Sequence, residues 1–380
     1  MNKTFYKITN KDECHHGFQY HDGLNILDKV FKFTGSCVAE GLYFTTAEHI
    51  LKFLYYGCYL RQVTLPKGCL WTIDPQGDKF RADKIILGKR YDLSDPLTFQ
   101  LLLEAGANVC AWDNYALVWA SRNGFLDVVK WLVEKGADIH VGNDHVLRHA
   151  CRNGYLEIVK YLVGMGGDIH SKGGCALPWA SKHGHLEIVM YLVEKGADIH
   201  VRDDYALKFA SNNGHSNVVK YLVEMGANIH SKNDCAFVWA SENSHLNVVK
   251  YLVEKGADIH AKDDCALKLA SKNGHLEVVK YLVEKGADIY VGNNFPLRLA
   301  SKYGHLKVVE YLVVIGADIH AKNDCALRLA SKYGHLNVVK YLVKKGADIH
   351  AKNDCAIVWA SKNGHGQVIK YLKRDIHKQN

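Results

Sequence analysis

The chain has 380 residues and a formal net charge of +8, with 48% apolar and 23% charged side chains. That composition belongs to a folded protein and excludes wholesale disorder. No apolar run approaches the roughly 18 residues of a membrane helix, and the opening MNKTFYKITNKDE lacks a signal-peptide core. An intracellular, non-secreted protein without membrane contact is therefore expected.

Residues 1–95 carry no internal repeat, and three of the five prolines, Pro66, Pro75 and the boundary residue Pro96, fall in or at the end of this segment. Its periodicity predicts a helix over Ala47 to Tyr56 and strands in YLRQVTL and KIIL, a small α+β domain. Cys14, His15, His16, His21 and Cys37 form a loose cluster there. No CxxC pair accompanies it, and adjacent side chains do not converge on one ion, so no metal site is assigned.

Residues 96–111, around LTFQLLLEAGANV, read as a half-unit cap. From Leu101 to Lys370 the chain then repeats every 30 residues, nine times, without insertion or deletion. Such a period is the mark of a stacked solenoid. The repeats fill 112–372, and a polar tail covers 373–380. In one unit, Asp324 is an expected N-cap, CALRLASKY a short helix, and Gly334 its left-handed stop. A second helix follows from Leu336 to Lys345, ended by Gly346. Both are too short to stand alone, so stacking must supply the core. Cys175, Cys235, Cys265, Cys325 and Cys355 share one repeat position. Stacked helices sit roughly 8–10 Å apart, beyond disulfide reach, so reduced thiols are expected.

The unit resembles an ankyrin repeat. The family's T-P-L-H-x-A, G-H, V-V-x-x-L-L and G-A-D segments appear as CALRLA, Gly334-His335, VVKYLV and Gly346-Ala347-Asp348. Thr-Pro survives only in part, as Phe295-Pro296. Family units are typically 33 residues long, and the missing three fall where the projecting hairpin finger is built. The resemblance therefore implies fingers clipped to tight turns, with Asp144, Asp204, Asp234, Asp264, Asp324 and Asp354 as replacement caps. The regular 30-residue unit, together with HHGFQYHDGLN, GLYFT and FRADKIILG in front, is similar to ankyrin proteins of giant amoebal DNA viruses (mimivirus-like), including their shared N-terminal domain. The resemblance implies a viral protein acting in the host cell, its cytoplasm first.

At about 100° per residue, Ala326, Leu327, Ala330 and Ser331 share the buried arc, and positions 325, 328, 329 and 332 point away from it. In the ankyrin fold those columns line the concave groove. One holds Arg148, Lys208, Lys268, Arg298 and Arg328; the next holds Lys332 and its equivalents, against a lone acid, Glu242. Between them run Trp119, Trp179, Phe209, Trp239 and Trp359, with Tyr115, Tyr205 and Phe295 beside them. Arg and aromatic residues anchor interfaces, so these are the candidate partner-binding residues. The same tryptophans also suit packing between units.

From Leu101 onward there are 35 basic and 29 acidic residues, net +6. This modest balance, with acidic turns such as Asp263-Asp264 beside the groove, argues against nucleic acid. The 22 histidines fall mainly in two columns, at His260 and His275 and their equivalents. Ligands one repeat apart do not converge on zinc, so these are expected to be structural. There is no GxGxxG, GxxxxGK[ST], GxSxG or HExxH. The C-terminal GQVIKYLKRDIHKQN is too short and basic for the F-box-like helix of some viral ankyrin proteins.

The sequence thus predicts a monomeric, non-enzymatic scaffold without cofactor, metal or catalytic residues. Its concave face is expected to bind a protein partner, with an acidic segment as the candidate ligand. Two alternatives stay open: an activity in residues 1–95 with the array recruiting substrate, and nucleic-acid binding in the basic groove.

Overall fold

The computed structural model describes residues 4–33 and 40–379, with side chains through Arg374. Cys37 of the front cluster lies outside the described residues. The chain forms two compact units, Met1–Ala176 and Leu177–Asn380.

In the first unit the front segment is a seven-stranded antiparallel sheet. Its strands are β1 (Phe5–Thr9), β4 (Gly23–Ile26), β5 (Leu42–Thr46), β6 (Tyr59–Thr64), β7 (Trp71–Ile73), β8 (Phe80–Ala82) and β9 (Lys84–Asp92), in the order β4-β9-β6-β1-β5-β8-β7; β2 (Cys14–His15) and β3 (Phe18–Gln19) make a separate ribbon. Alternation puts Leu42, Phe44, Val63, Phe80, Ile85 and Leu87 into one core. The predicted helix is a short α1 (Ala47–Ile50) running into a 3-10 helix, Leu51–Tyr56, with Ile50, Leu51 and Leu54 buried. The two predicted strands are β6 and the start of β9. The α+β reading therefore holds.

Next comes α2 (Pro96–Glu104), with Asp95 accepting from the backbone N–H of Leu97 and Pro96 in the first turn. Helix pairs then follow in strict rhythm, for instance Ala261–Asn273 with Leu276–Glu284. Val278, Val279 and Leu282 are buried from one helix, and Ala266, Leu267, Ala270 and Ser271 from the other. Within the second unit, neighbouring first helices pack on one another from Val201 to Lys362.

Where a projecting finger would stand, the chain makes a tight turn, as the missing residues implied. The turn is three consecutive left-handed residues, Lys262, Asp263 and Asp264, at φ 53°, 56° and 53°. It recurs at Lys322, Asn323 and Asp324, and at Gly292, Asn293 and Asn294. A left-handed non-glycine residue costs roughly 1–2 kcal/mol, and Gly292 shows the unstrained choice at the first position. Lys262→Gly with Lys322→Gly should therefore stabilise the array by about 1 kcal/mol after glycine's own entropy is set against the relief. Urea unfolding followed by circular dichroism checks this; an unchanged or lower midpoint contradicts it.

This turn corrects the capping expectation. Asp324 is itself left-handed, at φ 51°, and lies inside the turn, whereas an N-cap residue takes the extended region. Asp324 Oδ1 instead accepts the backbone N–H of Asp348, in the loop after the same unit's second helix, at 2.9 Å. The aspartates from Asp144 to Asp324 tie the turn that opens a unit to the loop that follows its second helix; they do not start helices.

Candidate functional site

Each turn leaves backbone carbonyls pointing away from any ladder, and buried carbonyls need donors. The first basic column supplies them. Arg328 donates from Nε to Asn323 O at 2.9 Å and from its terminal nitrogen to Lys322 O at 2.8 Å. Arg148 reaches Asn143 O at 2.7 Å, Arg298 reaches Gly292 O at 3.0 Å, and Lys208 reaches Arg202 O at 3.4 Å. Lys208 is 2% exposed and Arg328 6%. Burial also lowers the Lys208 ammonium's pKa. The expectation that this column offers its charges to a partner is thus corrected for Arg328 and Lys208, which are buried and committed to their own turns. Lys268 of the same column is half-buried.

Both histidine columns are structural, as the spacing predicted. His260 Nδ1 lies 3.1 Å from Asp264 Oδ1, and the pair recurs at His140, His200, His230, His320 and His350. A carboxylate only accepts, so Nδ1 carries the hydrogen. The second column reaches back one unit: His305 Nε2 donates to Lys272 O at 2.8 Å, and His275, His335 and His365 repeat the bond at 2.9 Å. Among the described residues no group of three or more His, Cys, Asp or Glu side chains could hold a metal.

The aromatic column divides. Trp119 is 7% exposed, in ring contact with Phe99 and Phe125. It is packed into the core and also borders the cleft described below. Trp179, Phe209, Trp239 and Trp359 are half-buried. In the second unit, Lys182 Nζ sits 5.0 Å from the Trp179 ring centre and 5.6 Å from that of Phe209. Phe209 then stacks on Trp239 at 6.4 Å. Further along, Lys332 Nζ lies 5.3 Å from Trp359 and 5.5 Å from Tyr333. Rings and ammonium groups thus alternate along one face, each contact worth about 0.5–1 kcal/mol. The lysines of the second basic column are the ones left near the surface. Sequence columns revealed both basic stripes, but only the turn geometry tells which one is consumed.

In the first unit the same helix positions border a cleft of ≈ 1000 Å³, among them Tyr115, Arg122, His145 and His149, with Tyr55 of the front domain and Trp112 beside them. Burial, aided by His145 and then by Arg122 and other arginines, pulls His149 down to about 4. The ring is neutral at pH 7 and offers the cleft a polar edge without charge. Tyr55 and Trp112 were not singled out in the sequence, because neither sits in a groove column.

Sequence models described as ankyrin repeats match residues 141–203, 203–263, 262–323 and 297–380 (three copies) and 117–163 (many copies). A protein named for its ankyrin repeats, R868 of Acanthamoeba polyphaga mimivirus, is 50% identical over 133 residues, 34% of this chain and 65% of its own. R229 of the same virus, also so named, is 39% identical over 142 residues, covering 34% of this chain and 46% of its own. R869, an uncharacterized mimivirus protein, is 39% identical over 137 residues, 33% of this chain and 95% of its own. The chain thus spans less than two thirds of the first two relatives.

Proposed function

We propose that this chain, which belongs to the ankyrin-repeat family, is a non-enzymatic scaffold that binds a protein partner along the inner face of its repeats. Ankyrin arrays serve protein–protein interaction, and the similar proteins named above come from mimivirus, which supports a viral role. The partner contributes an acidic segment, lying along Trp179, Lys182, Phe209 and Trp239, with Lys332 and Trp359 further on. The protein acts as a monomer inside the host cell, and residues 1–95 are the N-terminal domain of the viral group.

The observation that carries this reading is the alternation of half-buried rings with lysine ammonium groups. Such a surface is preorganised: the rings are fixed by packing, and acidic side chains replace water around the lysines. No helix among the described residues is long and apolar enough to cross a membrane.

Trp179→Ala with Trp239→Ala is expected to reduce binding of an acidic partner captured from host lysate at least tenfold, with helical content by circular dichroism unchanged. Loss of helix would make both rings structural and overturn the assignment. Binding to single-stranded DNA with a steep salt dependence, in place of an acidic protein, would replace the proposal with nucleic-acid recognition.

A further inference from the structure

The front domain holds a buried amine that the scaffold reading does not use. Lys7, in the middle of β1, is 4% exposed. Its Nζ donates to Tyr43 O at 3.0 Å and stands 4.3 Å from the centre of the Tyr20 ring. No carboxylate forms an ion pair with it among the described residues. The acid whose charge reaches it is Glu13, and Glu13 is already held by Arg61, whose terminal nitrogen lies 2.8 and 3.0 Å from the two carboxylate oxygens. A buried ammonium without a counterion is expensive, so burial brings this amine down to about 7.

The same lysine lines a small pocket of ≈ 50 Å³. Its walls are mainly aromatic and aliphatic: Tyr43, Phe44, Ile50, Phe53 and Tyr56. The polar groups facing the amine are few. His15 lies close enough for the Lys7 charge to help lower its pKa, after burial, to about 4. His16 and Lys79 complete the rim, with the Tyr43 ring under Lys79 at 5.5 Å. A desolvated lysine at the wall of an apolar pocket has the arrangement by which amines become nucleophiles near neutral pH.

We propose that this pocket is a covalent, reversible binding site for a small aldehyde or ketone with an apolar body, captured as an imine on Lys7. The uncharged amine's lone pair forms the C–N bond while the carbonyl π pair moves to oxygen. The oxygen takes up the proton that nitrogen loses, giving a carbinolamine. A second nitrogen proton then leaves with the hydroxyl as water, and the nitrogen lone pair closes the C=N bond. No oxidant or reductant is needed, and hydrolysis reverses the step. The aromatic walls bury the ligand's body. This site is independent of the repeat face, and its failure would leave the scaffold proposal untouched.

The test treats the full chain with benzaldehyde at pH 7, reduces any imine with cyanoborohydride, and maps N-benzyl-lysine by peptide mass spectrometry. Lys7 is expected to be labelled at least tenfold above repeat lysines such as Lys250, saturating with aldehyde concentration. Benzyl alcohol, which fills the pocket without forming an imine, should slow labelling at Lys7 alone. Lys7→Met should abolish that label and leave the others unchanged. If Lys7→Met does not fold, saturation and protection on the wild-type chain decide the matter. Labelling that follows lysine exposure, or that rises linearly without saturation, overturns the proposal. So does protection by benzoate but not by benzyl alcohol, which would make the pocket an anion site.

Discussion

Gly274→Ala is expected to destabilise the array by about 3 kcal/mol, seen as a lowered urea midpoint. Two effects add. Gly274 has φ 80°, where a Cβ is strained, and a Cβ built there meets the His305 ring at 2.4 Å. The left-handed penalty is roughly 1–2 kcal/mol and overpacking adds roughly 1–3. The ring cannot simply swing away, because Nε2 is tied to Lys272 O. Gly286→Ala is the control: its φ is 101° and nothing lies within 4 Å of the added carbon. It should show the backbone penalty alone, about 1 kcal/mol. Equal losses at the two sites would mean that the histidine contact contributes nothing.

Asp264→Ala is expected to cost about 2 kcal/mol, the net worth of a hydrogen bond to a charged acceptor. The donor is the N–H of Asp288, which gives a 2.9 Å bond to Asp264 Oδ1. Asp264→Asn should retain most of the stability, since Asn294 Oδ1 accepts from Asp318 N at 2.8 Å in the next unit. The units themselves record the rule. Where the acceptor is an aspartate, the residue four before it is histidine; where it is Asn114 or Asn294, that residue is Cys110 or Tyr290. His260→Tyr with Asp264→Asn should therefore be the best-tolerated double change in thermal melts. An alanine variant as stable as the asparagine one would remove the bond to Asp288 from the account.

These two cases also show how far the sequence could be read. The helices, their glycine stops and the buried Ala-Leu-Ala-Ser arc were legible because period and capping are local properties. The true partner of Asp264 was not. Its acceptor role depends on an N–H 24 residues later, brought near only when the unit's two helices fold back on each other. Nor was the left-handed turn, since Lys-Asp-Asp reads as an ordinary helix start, and at the turn's first position only Gly142 and Gly292 hint at positive φ. At the groove, Arg328 and Lys332 look alike as basic positions one turn apart. The turn carbonyls capture the first and leave the second beside a ring. In the front domain β6 and β9 announced themselves by alternation, whereas the two- and three-residue strands around them are too short to carry a period. Lys7 sat in plain view, but its burial is a product of the sheet.

The bond that closes a unit and the bond that joins it to its neighbour share a property with a wider consequence. Aspartate or asparagine reaches forward to a main-chain N–H, and histidine reaches backward to a main-chain carbonyl. Main-chain groups are the same whatever side chain they carry, so these two bonds check only that the segment they meet is in phase. A gene encoding such an array can lose or duplicate one repeat-length block of codons by unequal recombination and still specify intact seams. The array's length is then free to drift, while the face it presents changes one rung at a time.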